Sequence, residues 1–153
     1  MLIPLFERND ETHVWLVRRP ETMRSHGGQV AFPGGKSDPT DSSRCATALR
    51  EADEELAIAP SSVDVLGALD DYPTITGFTV TPWVGWLTRD LEVKPNPSEV
   101  ARAFAAPLRA FFEPGEGSLP WHGWRVDGEF VWGATAAILR GFVSIVRDLE
   151  DAQ

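Results

Sequence analysis

The stretch Arg50-Glu51-Ala52-Asp53-Glu54-Glu55-Leu56 constrains this chain more than any other. Around it, Cys45, Ala48, Leu49, Ala52 and Leu56 recur at spacings of three and four, which predicts an amphipathic helix from about Ser42 to about Ala57. Asp41, Ser42 or Ser43 can cap its N-terminus, and Pro60 lies just beyond its end. On this helix Glu51, Glu54 and Glu55 stand at i, i+3 and i+4, so the spacing places their carboxylates on one face. Like charges so placed repel, and they lie in the half of the helix where the macrodipole disfavours anions. Stability alone gives no reason for such a pattern. Hard divalent cations do, because oxygen-only donors suit Mg²⁺ or Mn²⁺ and the bound charge offsets the repulsion. Arg50 is placed to pair with a neighbouring carboxylate and fix its rotamer. The plain alternative is a solvated acidic face, which is what a run of this kind usually is when it stands alone.

It does not stand alone. Phe32-Pro33-Gly34-Gly35-Lys36 precedes the helix by a short loop, and paired glycines allow positive φ and close approach of the backbone to a ligand or metal. By itself this pair would equally well be a simple strand-to-helix turn. Glycines, loop and acidic helix occurring in order shift the balance.

Elsewhere the pattern mixes strands and helices. Leu2–Phe6 and Val14–Val17, separated by a turn at Asn9–Glu11, read as a hairpin, and the stretch from Arg18 to Lys36 as irregular. Val63–Leu69 and Phe78–Leu87 read as strands, with Pro82 suiting an edge or bulge. Short helices are expected from Ser98 and after Pro107. Trp121–Val126 and Phe130–Trp132 read as a last strand pair, and Ala134–Leu149 as a closing helix on the spacing of Ala137, Ile138, Phe142, Ile145 and Leu149. These alternations predict one α/β domain with a mixed sheet across residues 1–153. The apolar stretch Thr81–Leu87 is either core or the surface of a homodimer.

The net charge of −9 opposes binding to nucleic acid or an anionic membrane, although it leaves a phosphorylated small molecule open, since local arginines and bound cations set the field inside a site. With Cys45 as the one cysteine there is no internal disulfide and no Cys-rich zinc site. No apolar run spans a bilayer and no signal-like segment opens the chain, so the expected location is cytoplasmic.

Gly35 to Ile58 resembles the Nudix box, whose pattern is a Gly, a short loop, an acidic residue, then Arg-Glu-apolar-x-Glu-Glu-x-Gly-apolar. The preceding stretch from Arg18-Arg19-Pro20 through His26-Gly27-Gly28-Gln29 to Pro33-Gly34-Gly35 is similar to the additional motif of the coenzyme A pyrophosphatase subgroup. Thr76-Gly77-Phe78-Thr79-Val80-Thr81-Pro82, Glu99-Val100 and Val131-Trp132-Gly133 agree with it. Three departures stand out: one extra residue before Arg50-Glu51, Asp41 where Glu is usual, and Ala57 in place of the final Gly of the box. The last puts in doubt the usual backbone turn after the helix.

The resemblance implies a Nudix fold, a mixed β-sheet sandwiched between helices, and a metal-dependent hydrolase cutting the pyrophosphate of coenzyme A or an acyl-CoA. Products would be 3′-phosphoadenosine 5′-phosphate and a 4′-phosphopantetheine species. It makes Glu51 and Glu55 the principal ligands for Mg²⁺ or Mn²⁺, Glu54 a further ligand or the base, and the Gly35 carbonyl a possible completing ligand. Glu99 is a second candidate base, against the alternative of a helix-opening Glu after Ser98. Arg18, Arg19 and Arg24 suit contacts to substrate phosphates or surface ion pairs. His26 and Gln29 either bind substrate or hold the loop. Trp121, Trp124 and Trp132 are core or flank a base. Two other readings keep the family and change the role: hydrolysis of another nucleoside diphosphate derivative (ADP-ribose, a dinucleotide, an oxidised nucleotide), or a non-catalytic sensor domain.

Overall fold

The structure is a computed structural model that describes residues 1–118 and 121–153. It begins with the expected hairpin, β1 (Leu2–Arg8) antiparallel to β2 (Glu11–Arg18), with Leu5 opposite Val14. Asn9 and Asp10 turn the chain at φ 52° and 60°, the left-handed pair that matches the twist of a two-residue hairpin. A short β3 (Val30–Ala31) returns along the end of β2 and leads into the glycine turn. The acidic helix α1 follows (Arg44–Leu56), then β4 (Val63–Ala68), β5 (Tyr72–Pro73), β6 (Thr79–Val80), β7 (Trp83–Leu87), β8 (Arg102–Pro107), β9 (Trp124–Val126), β10 (Glu129–Val131) and α2 (Gly133–Asp151).

The main sheet runs β3-β2-β1-β7-β4, with β8 pairing β2 on its other edge. β1 and β7 are parallel and the remaining pairs antiparallel, so the sheet is mixed. Period-two alternation divides its side chains between two cores. Ile3, Leu5, Val14, Leu16, Phe104 and Ala106 face Ile138, Leu139, Phe142 and Val143 of α2. Leu2, Phe6, Trp15, Val17 and Leu87 face Ala48, Ala52 and Leu56 of α1. One helix covers each face of the sheet.

Three local expectations fail. No helix starts at Ser98: Glu99 and Val100 both donate to the Asn96 carbonyl, and the chain then enters β8. The alanines of Arg102–Pro107 lean toward helix, and pairing along β2 from Arg18 to His13 overrides them in favour of the strand. After Pro107 only a 3₁₀ turn forms, Leu108–Phe111. The stretch Phe78–Leu87 breaks at Thr81-Pro82, and β7 lies between β1 and β4 with Val84 and Leu87 buried. Its apolar character therefore belongs to the core and gives no support to a dimer. Among the described residues no helix is long and apolar enough to cross a membrane.

Candidate active site

α1 is started by Ser43, whose Oγ accepts from Ala46 N at 3.0 Å. It ends on Ala57 at φ 56°, ψ 35°, with the Ala57 amide donating to the carbonyls of Ala52 and Asp53. The turn normally given to glycine is thus retained with an L residue, at a steric cost of about 1–2 kcal/mol. Ala57→Gly removes that cost while loosening the unfolded chain. The expected net gain is about 0.5–1 kcal/mol, read as a rise in melting temperature of about 1–4 °C.

The glycine turn reaches α1 through two contacts. Leu2 N donates to Pro33 O at 2.9 Å, which fixes where β3 hands over to the turn. Gly34 N donates to Glu55 Oε2 at 2.8 Å. Gly35 lies so close to Glu51 that a Cβ there would stand 2.4 Å from Glu51 Oε1, and one on Gly34 would stand 2.9 Å from Met1 Cα. Neither glycine is at positive φ. The pair serves close approach, not an unusual turn.

Carboxylate oxygens of Glu51, Glu54 and Glu99 all lie within 4.8 Å of one another. Two come from α1, and the third arrives on the segment after β7. Lys94 N donates to Leu56 O and Asn96 N to Glu55 O, binding that segment to the end of α1, while Ala101 N donates to Arg18 O. Burial pushes the Glu51 carboxyl up, Arg50 opposes this, and Glu54 and Glu99 add to it by like charge. Three oxygen donors that repel one another are chemically suited to a hard divalent cation.

Glu55 stands apart from this trio. Only 5% exposed, it accepts from the Gly34 amide. Burial raises its carboxyl from 4.5 to about 7, against the lowering effect of that hydrogen bond. A carboxyl that holds its proton more tightly folded than unfolded makes stability fall as pH rises between those two values. In EDTA the wild type is expected to be less stable at about pH 8 than at about pH 5, and Glu55→Gln to flatten the difference. Urea midpoints at both pH values check this.

Arg50 organises the rest. Its Nε and Nη2 reach both oxygens of Asp41 (2.9 and 3.0 Å), its Nη1 reaches Glu51 (3.2 Å) and Glu54 (3.1 Å), and Nη2 also donates to Lys36 O (3.3 Å). The guanidinium holds the Asp41 carboxyl well below the usual carboxylate range. Asp41 thus acts as the anchor of Arg50, and Thr47 Oγ1 donates to it as well at 2.8 Å.

The upstream motif forms the tip of the β2–β3 hairpin, closed by Arg19 N to Gln29 O and Gly28 N to Arg19 O. Arg18 faces Glu129 at 3.5 Å. Arg19 lies near enough to pull the Glu55 carboxyl down. Arg24 is exposed, and His26 Nδ1 lies 3.0 Å from Gln29 Oε1. Those last two meet each other, and no contact to the carboxylates is present among the described residues. Trp124 is buried, whereas Trp121 packs on Trp132 with centroids 5.0 Å apart. The ring of Phe78 carries the Lys36 ammonium at 4.7 Å, a pairing that neither segment reveals by itself because the two lie far apart in the chain.

A mixed sheet between two helices, with a glycine turn pressed onto an acidic helix, defines a class. The NUDIX domain model matches residues 2–128, and the chain belongs to the Nudix hydrolases. The Nudix hydrolase NudL of Cronobacter sakazakii is 43% identical over 151 residues, covering 92% of this chain and 78% of that protein. Among solved structures, a Caenorhabditis elegans Ap4A hydrolase binary complex superposes with a TM-score of 0.69 at 15% identity, over 96% of each chain. The NUDIX domain of Shewanella oneidensis NrtR, complexed with ADP ribose, gives 0.65 at 15% identity over 95% of this chain and 84% of that one. At those identities the two structures establish the shared Nudix fold.

Proposed function

We propose that this Nudix hydrolase is a cytoplasmic, Mg²⁺- or Mn²⁺-dependent enzyme that cleaves the pyrophosphate of coenzyme A or acyl-CoA. Water adds to one phosphorus and the bridging P–O bond breaks, leaving 3′-phosphoadenosine 5′-phosphate and a 4′-phosphopantetheine product. The observation that carries the hydrolytic part is the convergence of Glu51, Glu54 and Glu99 beside Gly35. The coenzyme A assignment is supported by the likeness of Arg18–Gly35 to the subgroup's additional motif.

The carboxylates of Glu51, Glu54 and Glu99, with Glu55 and the Gly35 carbonyl beside them, would hold the cation. Once bound, a divalent cation supplies charge neutralisation and Lewis-acid polarisation of the diphosphate. Glu54, half exposed, or Glu99 would take the proton of the attacking water. Arg50 keeps Glu51 and Glu54 in place. Arg19, whose charge lowers the Glu55 carboxyl, would with Arg18 and Arg24 meet the substrate phosphates.

The same cluster would serve hydrolysis of ADP-ribose, a dinucleotide or an oxidised nucleotide, and a sensor domain would bind such ligands without turnover. Mass-spectrometric product analysis separates these readings. With coenzyme A and Mg²⁺ or Mn²⁺, the two phosphorylated products named above are expected. A strong preference for another nucleoside diphosphate in the panel defeats the coenzyme A assignment, and binding without cleavage defeats the enzymatic one.

A further inference from the structure

Glu51 and Glu54 owe their places to one helix, whereas Glu99 reaches them on residues 88–101, which form neither helix nor strand. Its position must come from other bonds. An α-helix leaves its last four carbonyls without partners of its own. At the end of α1 the carbonyls of Ala52 and Asp53 accept from the Ala57 amide. Those of Glu55 and Leu56 accept from Asn96 N and Lys94 N, each at 2.9 Å. The sequence prepares these two donors. In Lys94-Pro95-Asn96-Pro97 the prolines have no N–H, and each biases the residue before it toward extended backbone. Lys94 and Asn96, two residues apart, turn their amides onto the same helix end.

Asn96 then folds the chain back. Its carbonyl accepts from Glu99 N at 3.0 Å and from Val100 N at 2.8 Å. Its Oδ1 accepts from Ser98 N at 3.2 Å and from Ser98 Oγ at 2.8 Å. An Asn oxygen bonded to the amide two residues on makes an Asx turn, which shapes a bend from within. Beyond it Val100 is buried in the core beneath α1, and Ala101 N closes on Arg18 O. With Val100 turned inward, Glu99 brings a carboxylate oxygen within 4.8 Å of those of Glu51 and Glu54. One residue therefore bonds both the helix that carries Glu54 and the turn that carries Glu99.

We propose that Asn96 is a positioning residue for Glu99, joining the end of α1 to the 96–100 turn so that the third carboxylate meets the other two. Its effect on a divalent cation is indirect, through Glu99. It rests on the reading of Glu51, Glu54 and Glu99 as the cation site. Asn96→Ala leaves the backbone bonds to Glu55, Glu99 and Val100 possible and removes the Oδ1 that shapes the turn between them.

A double-mutant cycle on Mn²⁺ affinity tests this, with the free Mn²⁺ read by electron paramagnetic resonance. The four proteins are the wild type, Asn96→Ala, Glu99→Gln and Asn96→Ala/Glu99→Gln. Loss of an outer group that orients a metal ligand weakens binding about 10–100-fold, and Asn96→Ala is expected at the lower end, about tenfold. In the Glu99→Gln background the same substitution is expected to change affinity by less than about twofold, the usual limit for uncoupled sites. Asn96→Ser keeps a weaker acceptor for Ser98 N, should fall between the wild type and Asn96→Ala, and carries the cycle if the alanine variant does not fold. Equal losses in both backgrounds would assign Asn96 to general stability and overturn the proposal, as would unchanged affinity in Asn96→Ala. If Glu99→Gln alone binds Mn²⁺ as tightly as the wild type, Glu99 is no ligand and the reading of the trio fails, taking the role of Asn96 with it. If Glu99→Gln weakens binding and the cycle shows no coupling, the trio stands and only the role of Asn96 falls.

Discussion

Glu54→Gln is expected to lower kcat by about 10²–10⁴-fold, the range set by removing a carboxylate that takes or positions a proton in the rate-limiting step. The substitution keeps shape and keeps an oxygen able to accept from Arg50 at the position now 3.1 Å away. The side chain is 48% exposed, so its loss of charge leaves the core untouched. Removing one of three mutually repelling carboxylates slightly relieves the metal-free protein. Melting temperature without metal should therefore hold or rise while turnover collapses. Steady-state kinetics with coenzyme A checks this: a rise in KM with kcat intact would mean that Glu54 serves binding alone.

Arg50→Lys is expected to cost about 10–100-fold in activity, as loss of an outer group that orients metal ligands does. A lysine ammonium is a single point and cannot reproduce the fork that meets both oxygens of Asp41 while its other nitrogen reaches Glu51 and Glu54. The accompanying drop in melting temperature should be larger in EDTA than in Mg²⁺, because a bound cation takes over part of the charge compensation that the guanidinium now supplies. Equal drops in both conditions would assign Arg50 to packing only. Wild-type activity in Arg50→Lys would show that the guanidinium does not position the carboxylates.

How far the sequence led depends on how local each feature is. The helix carrying Glu51, Glu54 and Glu55 was legible because its spacing is set within one segment, and so was the Asn9-Asp10 hairpin. Spacing alone could not separate the three carboxylates, however. Glu54 and Glu55 are successive residues, about 100° apart around the helix, so one faces the open cluster and the other turns under Gly34 into the core. Arg102–Pro107 is not legible as a strand because its alanines favour helix, and its fate is decided by β2, far earlier in the chain. Residue type alone pointed to the arginines, but whether one is paired or free depends on what folds beside it, as Arg18 with Glu129 shows. The Lys36–Phe78 contact, across forty-odd residues of chain, has no trace in either segment alone.

Everything proposed for catalysis requires a divalent cation among the oxygens of Glu51, Glu54 and Glu99. Anomalous diffraction from crystals soaked in Mn²⁺ locates such an ion directly. A peak within bonding distance of those carboxylates and beside Gly35, absent from crystals of a Glu51→Gln/Glu99→Gln variant, is the expected result. Saturating Mn²⁺ with no peak there, and the three side chains turned away from one another, would contradict it.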